Sequence, residues 1–175
     1  MERELLLKHN ELLKKLSLLP RKIVQAHGTE NVPEFVLHDL CNKNCFNLNK
    51  AAYFVDNPDF DWLKGVAGFS QAESFDDSND IWSNRESFSQ HMKDSSFNQQ
   101  VRNLSLQSIK HGPSQVVDVV QKIALVLGLE NPGYSSWSLK HDNHGLLVFE
   151  KPDQVFASEQ DMENGLYLLG FCPVH

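Results

Sequence analysis

Long apolar runs and cysteine are two features that this sequence has little of. Its longest apolar stretch, Ile123 to Leu129, is about a third of the length that a membrane-spanning helix requires. The first residues, Met-Glu-Arg-Glu, lack the basic and apolar pattern of a secretion signal. Three cysteines are too few, and odd in number, for a disulfide framework. These absences predict a soluble protein of a reducing compartment, and we expect it in the cytoplasm.

The motifs of several enzyme classes are also missing. There is no phosphate loop of the G-x-G-x-x-G or G-x-x-x-x-G-K-[ST] type, no G-x-S-x-G nucleophile turn and no H-E-x-x-H zinc helix. The composition is that of an ordinary globular protein, with 41% hydrophobic and 22% charged residues. The sequence therefore gives no cofactor-binding residues and leaves open whether the protein is an enzyme.

Positive charge is scarce outside the N-terminal stretch. The chain carries a formal net charge of -7, yet residues 1–25 hold six Lys or Arg against three Glu. The remaining residues therefore carry a net charge of -10, which would repel the phosphates of DNA or RNA. We expect no nucleic acid partner and no membrane partner, whereas the basic N-terminal stretch could contact an acidic protein.

Residues 2–19 are rich in strong helix formers, and their leucines follow a helical spacing. Six of these leucines stand at positions 5, 6, 12, 13, 16 and 19, and Pro20 predicts the end of the helix. We interpret residues 1–20 as an amphipathic N-terminal helix. Its leucine stripe packs on the core or pairs with another helix, so a homodimer and a different protein partner both stay open. The three glutamates disfavour a membrane-surface helix.

Apolar segments between turn signals predict the strands. The predicted strands are Glu34 to Leu40, Asn49 to Val55, Trp62 to Phe69, Ser135 to Lys140, Leu146 to Glu150 and Leu166 to Phe171. They come in pairs around a helical middle rather than alternating with helices, which favours an antiparallel sheet. The sequence thus predicts a single α+β domain over residues 1–175, with an antiparallel sheet of about five strands.

Three helices are predicted in the middle of the chain. The first begins near Ser83 and Glu86, which fit a capping box, and the second continues to about His111. The third covers Val116 to Leu127, is apolar over most of its circumference and is closed by Gly128. We expect it to be a buried central helix that packs against the sheet together with the N-terminal helix.

All three cysteines enter the most specific pattern in the chain. Cys41 and Cys45 stand four residues apart in a predicted turn, and Cys172 precedes His175 by three positions. Three thiolates and one imidazole form a known tetrahedral zinc set. If the last predicted strand lies beside the turn that contains Cys41 and Cys45, one zinc ion would join both pairs of residues, with His38 as an alternative ligand. The competing interpretation is that the cysteines are small buried apolar residues.

Two hypotheses of function follow from these patterns. The first is a zinc-binding protein with a structural or regulatory role, in which His141 or His144 could also substitute for a ligand. The second is a non-catalytic protein-interaction domain without metal. A distant third is a thiol hydrolase in which one of these histidines activates a cysteine.

Overall fold

Five strands form one antiparallel sheet in the computed structural model, which describes residues 1–75, 80–110, 115–152 and 157–172. The strands are β1 Lys50–Asn57, β2 Trp62–Ser70, β3 Ser105–Gln107, β4 Pro132–Ser138 and β5 His144–Glu150. Their order across the sheet is β3-β2-β1-β5-β4, and every neighbouring pair is antiparallel. β1 is the central strand, and β3 and β4 form the two edges. The predicted α+β class is confirmed.

Six α-helices in the described part of the chain cover the two faces of this sheet. On one face lie α1 Glu2–Gln25, α2 Val32–Cys41, α3 Arg85–Asp94 and α6 Glu159–Tyr167; on the other lie α4 Ser96–Asn103 and α5 Val116–Leu127. A short 3-10 helix, Leu168–Phe171, follows α6. None of the described helices combines the length and apolarity needed to cross a lipid bilayer.

Strand β1 is buried on both faces and so divides the core into two apolar clusters. Its side chains alternate between the faces. Ala51 and Tyr53 belong to the cluster with α1 and α2, and Ala52 and Phe54 belong to the cluster with α4 and α5. A strand that is apolar on both sides requires cover on both sides, which is why helices flank both faces.

The segment predicted as the first strand, Glu34 to Leu40, is instead part of helix α2. Nine of the ten residues of α2 are buried. A helix covered almost all round loses the polar period of a surface helix, and its apolar run cannot be distinguished from a buried strand by periodicity. The local signal for a helix is Pro33, which stands in the first turn, where its missing amide is not needed.

The predicted last strand, Leu166 to Phe171, is also helical. It contains the end of α6 and the 3-10 helix that follows. Leu166 and Leu169 are both buried and stand three residues apart, which is the spacing of a helical face. Strand β3 is absent from the sequence prediction, because a segment of three residues with one apolar side chain is too short to show an alternating pattern. The sheet therefore has the predicted number of strands but different members.

Helix α1 does not end at Pro20, as predicted, but continues to Gln25. Proline within a helix costs about 3 kcal/mol through a lost hydrogen bond and a clash with the preceding turn. The extension places Ile23 in the core beside Leu19, each with 1% of its surface exposed. Burying one such side chain contributes about 2 kcal/mol, which offsets much of that cost.

Helix α5 covers the predicted range Val116–Leu127, and Gly128 closes it in the left-handed conformation. It is nevertheless an outer helix rather than a buried central one. Its buried face consists of Val120, Ile123, Ala124 and Leu127, whereas Val117, Leu125 and Val126 are exposed. The prediction was wrong because counting apolar residues does not reveal how many sides of a helix meet a partner.

Several predicted boundaries also differ. Helix α4 ends at Asn103 rather than near His111, which lies outside the described residues. Helix α3 begins after Asn84 without a side-chain cap, so the predicted capping box does not form. The predicted strands Ser135 to Lys140 and Leu146 to Glu150 form a hairpin as β4 and β5, and the left-handed residues of its turn are His141 and Asp142.

Candidate functional site

The three cysteines predicted as zinc ligands all lie in the apolar cluster that includes α1 and α2. Cys41 is the last residue of α2, Cys45 lies in the turn that follows, and Cys172 follows the last 3-10 helix. Backbone hydrogen bonds close the turn: the Cys45 amide donates to the Asn42 carbonyl, and the Leu48 amide donates to the Cys41 carbonyl. All three thiols are free and buried.

Burial keeps these thiols protonated at neutral pH. Loss of hydration raises the pKa of Cys45 and of Cys172 to about 12, and raises the pKa of Cys41 well above its usual value. Neighbouring Cys45 adds to the rise at Cys41, whereas the positive charge of Lys15 partly lowers the pKa of Cys45. The thiolate is the form that binds metals and attacks substrates. This environment therefore opposes the hydrolase hypothesis, and a zinc ion would have to displace the protons of buried thiols in order to bind.

His38 is buried in α2 between two phenylalanine rings. Its ring meets Phe69 and Phe88 edge-on, at centroid distances of 5.4 and 5.1 Å. The fourth predicted ligand, His175, lies outside the described residues. Within the described ranges, no group of three His, Cys, Asp or Glu side chains is placed to hold a metal ion. The zinc site thus stays a prediction.

The other candidate histidines lie at the turn between β4 and β5. His141 is exposed in a left-handed conformation with φ of 60°, and His144 is the first residue of β5. A general base must reach the proton that it abstracts. The Cys172 thiol instead donates to the Leu168 carbonyl at 3.8 Å. The thiol hydrolase hypothesis gains no support from this arrangement.

Helix α1 presents one apolar face to the core and leaves a second apolar face uncovered. The covered face consists of Leu12, Leu16, Leu19 and Ile23. The uncovered face, here called the exposed stripe, consists of Leu6, Leu13, Pro20 and Val24. Seven residues make almost two helical turns, so the first three members share one side of the helix, and Val24 follows one turn later. An exposed face of this length has no partner among the described residues.

Positive charge borders the exposed stripe. Arg3 and Arg21 each precede a stripe residue by three positions, and Lys14 stands seven residues before Arg21. These spacings place all three cations along the same side of the stripe. The helical spacing places Glu4 and Glu11 on the opposite side of α1. Glu2, four positions before Leu6, instead lies in line with the stripe. Beyond this first turn, the surface that α1 offers to a partner is apolar with a basic border.

A polar cluster at Asp39 holds the C-terminal half of α1 against α2. The indole N–H of Trp82 donates to the Asp39 carboxylate at 2.7 Å, and the Lys22 ammonium lies 3.9 Å from the same oxygen. Burial raises the pKa of Asp39, and the Trp82 hydrogen bond and the Lys22 charge oppose that rise. Nearer the N-terminus, Nδ1 of His9 lies 3.9 Å from Oδ2 of Asp161 in α6. The exposed stripe is thus carried on an anchored helix.

The exposed stripe can be recognised in the sequence when the leucines of α1 are separated into two repeats. Two seven-residue repeats are interleaved in α1, one through Leu12 and Leu19 and one through Leu6, Leu13 and Pro20. A single globular core can cover only one of these two stripes, since they lie on different sides of the helix. Treating the leucines as one face conceals the second repeat.

Comparison of the chain with protein-family models, with curated proteins and with solved structures gave no match.

Proposed function

We propose that this protein is a non-catalytic protein-interaction domain that binds an amphipathic helix of another protein along the exposed stripe of α1. The observation that carries the proposal is the solvent exposure of large apolar side chains on an anchored helix. Leu13 is 43% exposed and Val24 is 66% exposed, although Leu19 and Ile23 of the same helix are buried. An uncovered apolar face of this kind is typical of a surface that binds a helix.

The length of the stripe fits a helical partner. Leu6 and Val24 are 18 positions apart, which corresponds to about 27 Å along a helix axis. A partner helix of about five turns with apolar residues at heptad spacing would cover it.

The basic border favours a partner with acidic flanks over a second copy of this chain. In an antiparallel pair of α1 helices the same border of each copy meets, so Arg3, Lys14 and Arg21 would face their own counterparts. A parallel pair would bring the basic border against the side of α1 that the rest of the chain covers. Glutamates beside the apolar seam of a foreign helix would instead be attracted.

A charge-matched pair of peptides tests this preference. One synthetic amphipathic helix carries leucines at heptad spacing and glutamates on both borders, and the control carries lysines in place of the glutamates. We expect fluorescence anisotropy to show at least about tenfold tighter binding of the glutamate peptide at low salt. Arg21→Glu should remove most of this preference, whereas Lys43→Glu, which changes the net charge equally at an exposed site outside α1, should not.

Three outcomes would contradict the proposal. The first is equal binding of both peptides, and the second is no binding of either peptide. The third is a dimer of the native protein in sedimentation that Leu6→Ser dissociates and Arg21→Glu leaves unchanged. The last result would show that a second copy covers the stripe.

Zinc binding with a structural role stays an alternative proposal. Its support is that Cys41, Cys45 and Cys172 lie in one apolar cluster; the burial that raises their pKa values counts against it. Elemental analysis decides between the two, because about one equivalent of zinc per chain, lost in both Cys41→Ser and Cys172→Ser, would favour a metal site. Free thiols are compatible with the cytoplasmic location predicted from the sequence, which also stays a prediction.

A further inference from the structure

The outer edge of strand β4 carries backbone groups that have no hydrogen-bond partner among the described residues, and their direction can be assigned. The Lys151 amide donates to the Asn131 carbonyl, and the Leu139 amide donates to the Asn143 carbonyl. Both bonds follow the β4–β5 register, in which Pro132 pairs with Glu150. Because hydrogen-bonded and non-hydrogen-bonded pairs alternate in an antiparallel ladder, the odd-numbered residues of β4 point their N–H and C=O groups toward β5. The even-numbered residues Tyr134, Ser136 and Ser138 point theirs away from the sheet.

This edge lacks the protection that edge strands usually carry. From Gly133 to Ser138, β4 has no charged residue, no proline and no interruption in its register with β5. Natural proteins blunt exposed edges with charge, proline, bulges or a covering element. Over this stretch, the edge of β4 has no charge, proline or bulge, and its neighbouring element, α6, lies across a groove from it. Such an edge is suited to pairing with another strand.

The opposite side of the sheet shows such protection. There β3 has only three residues, and α4 covers the rest of β2. The Gly65 amide donates to the Leu104 carbonyl, and the Gly68 amide donates to the Asn98 side chain at 2.8 Å. The contrast indicates that the open edge of β4 is a feature of this fold.

A groove of about 510 Å³ runs along the open edge. Its lining includes four consecutive residues, Tyr134 to Trp137, together with Glu163, Asn164 and Tyr167 of α6. Consecutive strand residues point to opposite faces of a sheet, so a groove that all four line must follow the strand edge rather than either face. α6 forms the second wall of the groove.

Aromatic side chains provide apolar contact area in and beside this groove. Tyr134 is 42% exposed and Tyr167 is 48% exposed. Phe171 extends the surface, since its ring meets that of Tyr167 edge-on at 5.7 Å. Exposed tyrosine and phenylalanine rings are favourable contacts for apolar side chains of a bound peptide.

The charge of the groove indicates which kind of strand the edge of β4 would bind. Glu163 is the charged residue in its lining, and α6 also carries Glu159 and Asp161 with no basic residue in its last turn. A second copy pairing through β4 about a twofold axis perpendicular to the sheet would place the two acidic α6 helices on the same side of the joined sheet. A foreign strand with basic residues would meet the opposite charge.

We propose that the edge of β4 binds an extended segment of another protein, which adds a sixth strand beside β4 and carries Lys or Arg against Glu163 and apolar residues against the tyrosines. Strand addition of this kind takes its affinity from backbone hydrogen bonds and its specificity from alternate side chains. The proposal does not depend on the exposed stripe of α1, because the two surfaces share no residue.

The test uses the full chain and a capped nine-residue peptide of alternating lysine and valine. Ser136→Pro removes an outward amide without removing a hydrogen bond to β5, and Ser136→Ala is the matched control that keeps the amide. We expect Ser136→Pro to weaken binding at least tenfold and Ser136→Ala to leave it within twofold, with both variants melting near the native temperature. Two N-methylated versions of the peptide test the same point without changing the protein. One version is methylated at the amides along one edge of the peptide strand, and the other version at the amides along the opposite edge.

We expect only one of the two N-methylated peptides to lose binding. A peptide of alternating glutamate and valine should bind at least tenfold more weakly than the lysine and valine peptide. Glu163→Gln should remove this preference for lysine. The proposal is overturned if the lysine and valine peptide does not bind, or if it binds equally well when either set of its amides is methylated. A native dimer that Ser136→Pro dissociates would also overturn it, because a second copy would then occupy the edge.

Discussion

At the scale of single residues, Glu34 shows how one buried charge connects two helices on opposite sides of β2. Its side chain in α2 is 2% exposed, and it accepts a hydrogen bond from Arg102 of α4 at 2.9 Å. Burial raises the pKa of Glu34 above its usual value, and the charge of Arg102 opposes that rise only in part. Solvent screens the half-exposed arginine, so the pair itself contributes little, whereas the carboxylate left without it would be costly.

Arg102→Met should therefore destabilise the protein at pH 8 by about 1–2 kcal/mol, discounted for the solvent around the arginine. A carboxyl group with a raised folded pKa stabilises the fold below its unfolded pKa and loses that contribution as the pH rises through the folded value. The loss in Arg102→Met should thus shrink toward pH 4.5, where Glu34 takes up a proton. Urea unfolding at the two pH values measures the difference.

Glu34→Gln supplies the control for this experiment. With a neutral amide at position 34, Arg102→Met should show no such dependence on pH between 4.5 and 8. A loss in Arg102→Met that is the same at both pH values would contradict the role assigned to the buried carboxylate.

At the scale of elements, the contact of α4 with β2 depends on a glycine. A Cβ atom at Gly65 would lie 1.7 Å from the carbonyl oxygen of Val101 and 2.7 Å from its carbonyl carbon. Both atoms belong to the backbone of α4, so no side-chain rotation can relieve the overlap. Gly65 also donates its amide to Leu104, just after α4. Gly65 therefore permits the close approach of α4 to β2.

Gly65→Ala should destabilise the fold by about 3 kcal/mol or more, because α4 must move away from β2. Gly170→Ala is the control: its new methyl group would meet the ends of the Leu139 and Trp137 side chains at 2.9 and 3.4 Å. A flexible side chain can yield, so we expect a loss below about 1 kcal/mol for Gly170→Ala. Equal losses in urea unfolding would refute the account of the α4 contact.

The elements also show where the sequence was informative. β2 was predicted at Trp62 to Phe69 and lies at Trp62–Ser70, because the Asp-Asn-Pro-Asp turn before it sets its start. The segment that became α2 carried only a weak local signal, Pro33 in its first turn, since its apolar run is compatible with a buried helix and with a buried strand. Its position between α1 and the sheet, which follows from the assembled fold, favours the helix.

At the scale of the whole molecule, the two uncovered apolar surfaces lie in regions of opposite charge. Residues 1–25 carry more basic than acidic residues, and the remainder carries a net charge of -10. The exposed stripe lies in the basic part, and the β4 groove lies beside acidic α6. The two surfaces therefore favour partners of opposite charge, which makes them separable in one experiment through peptide charge alone.

The candidate sites could be predicted from the sequence only in part. The spacing of Cys41, Cys45 and Cys172 is visible in the sequence, but the burial that raises their pKa values depends on helices packed from elsewhere in the chain. The edge position of β4 could not be predicted, because strand order is a property of the complete sheet. The helix repeat through Leu6 and Leu13 was visible, yet its exposure follows from which stripe the core covers.

Two leucines of α1 with matched exposure provide a direct test of the exposed stripe as the binding surface. Leu13, in the exposed stripe, is 43% exposed, and Leu18, on another side of the helix, is 42% exposed. Titration calorimetry with the glutamate-bordered amphipathic helix should show at least about tenfold weaker binding for Leu13→Ser, or about 1.4 kcal/mol, and a change within twofold for Leu18→Ser. Equal effects of the two substitutions, or none from either, would contradict the assignment of the stripe as the binding surface.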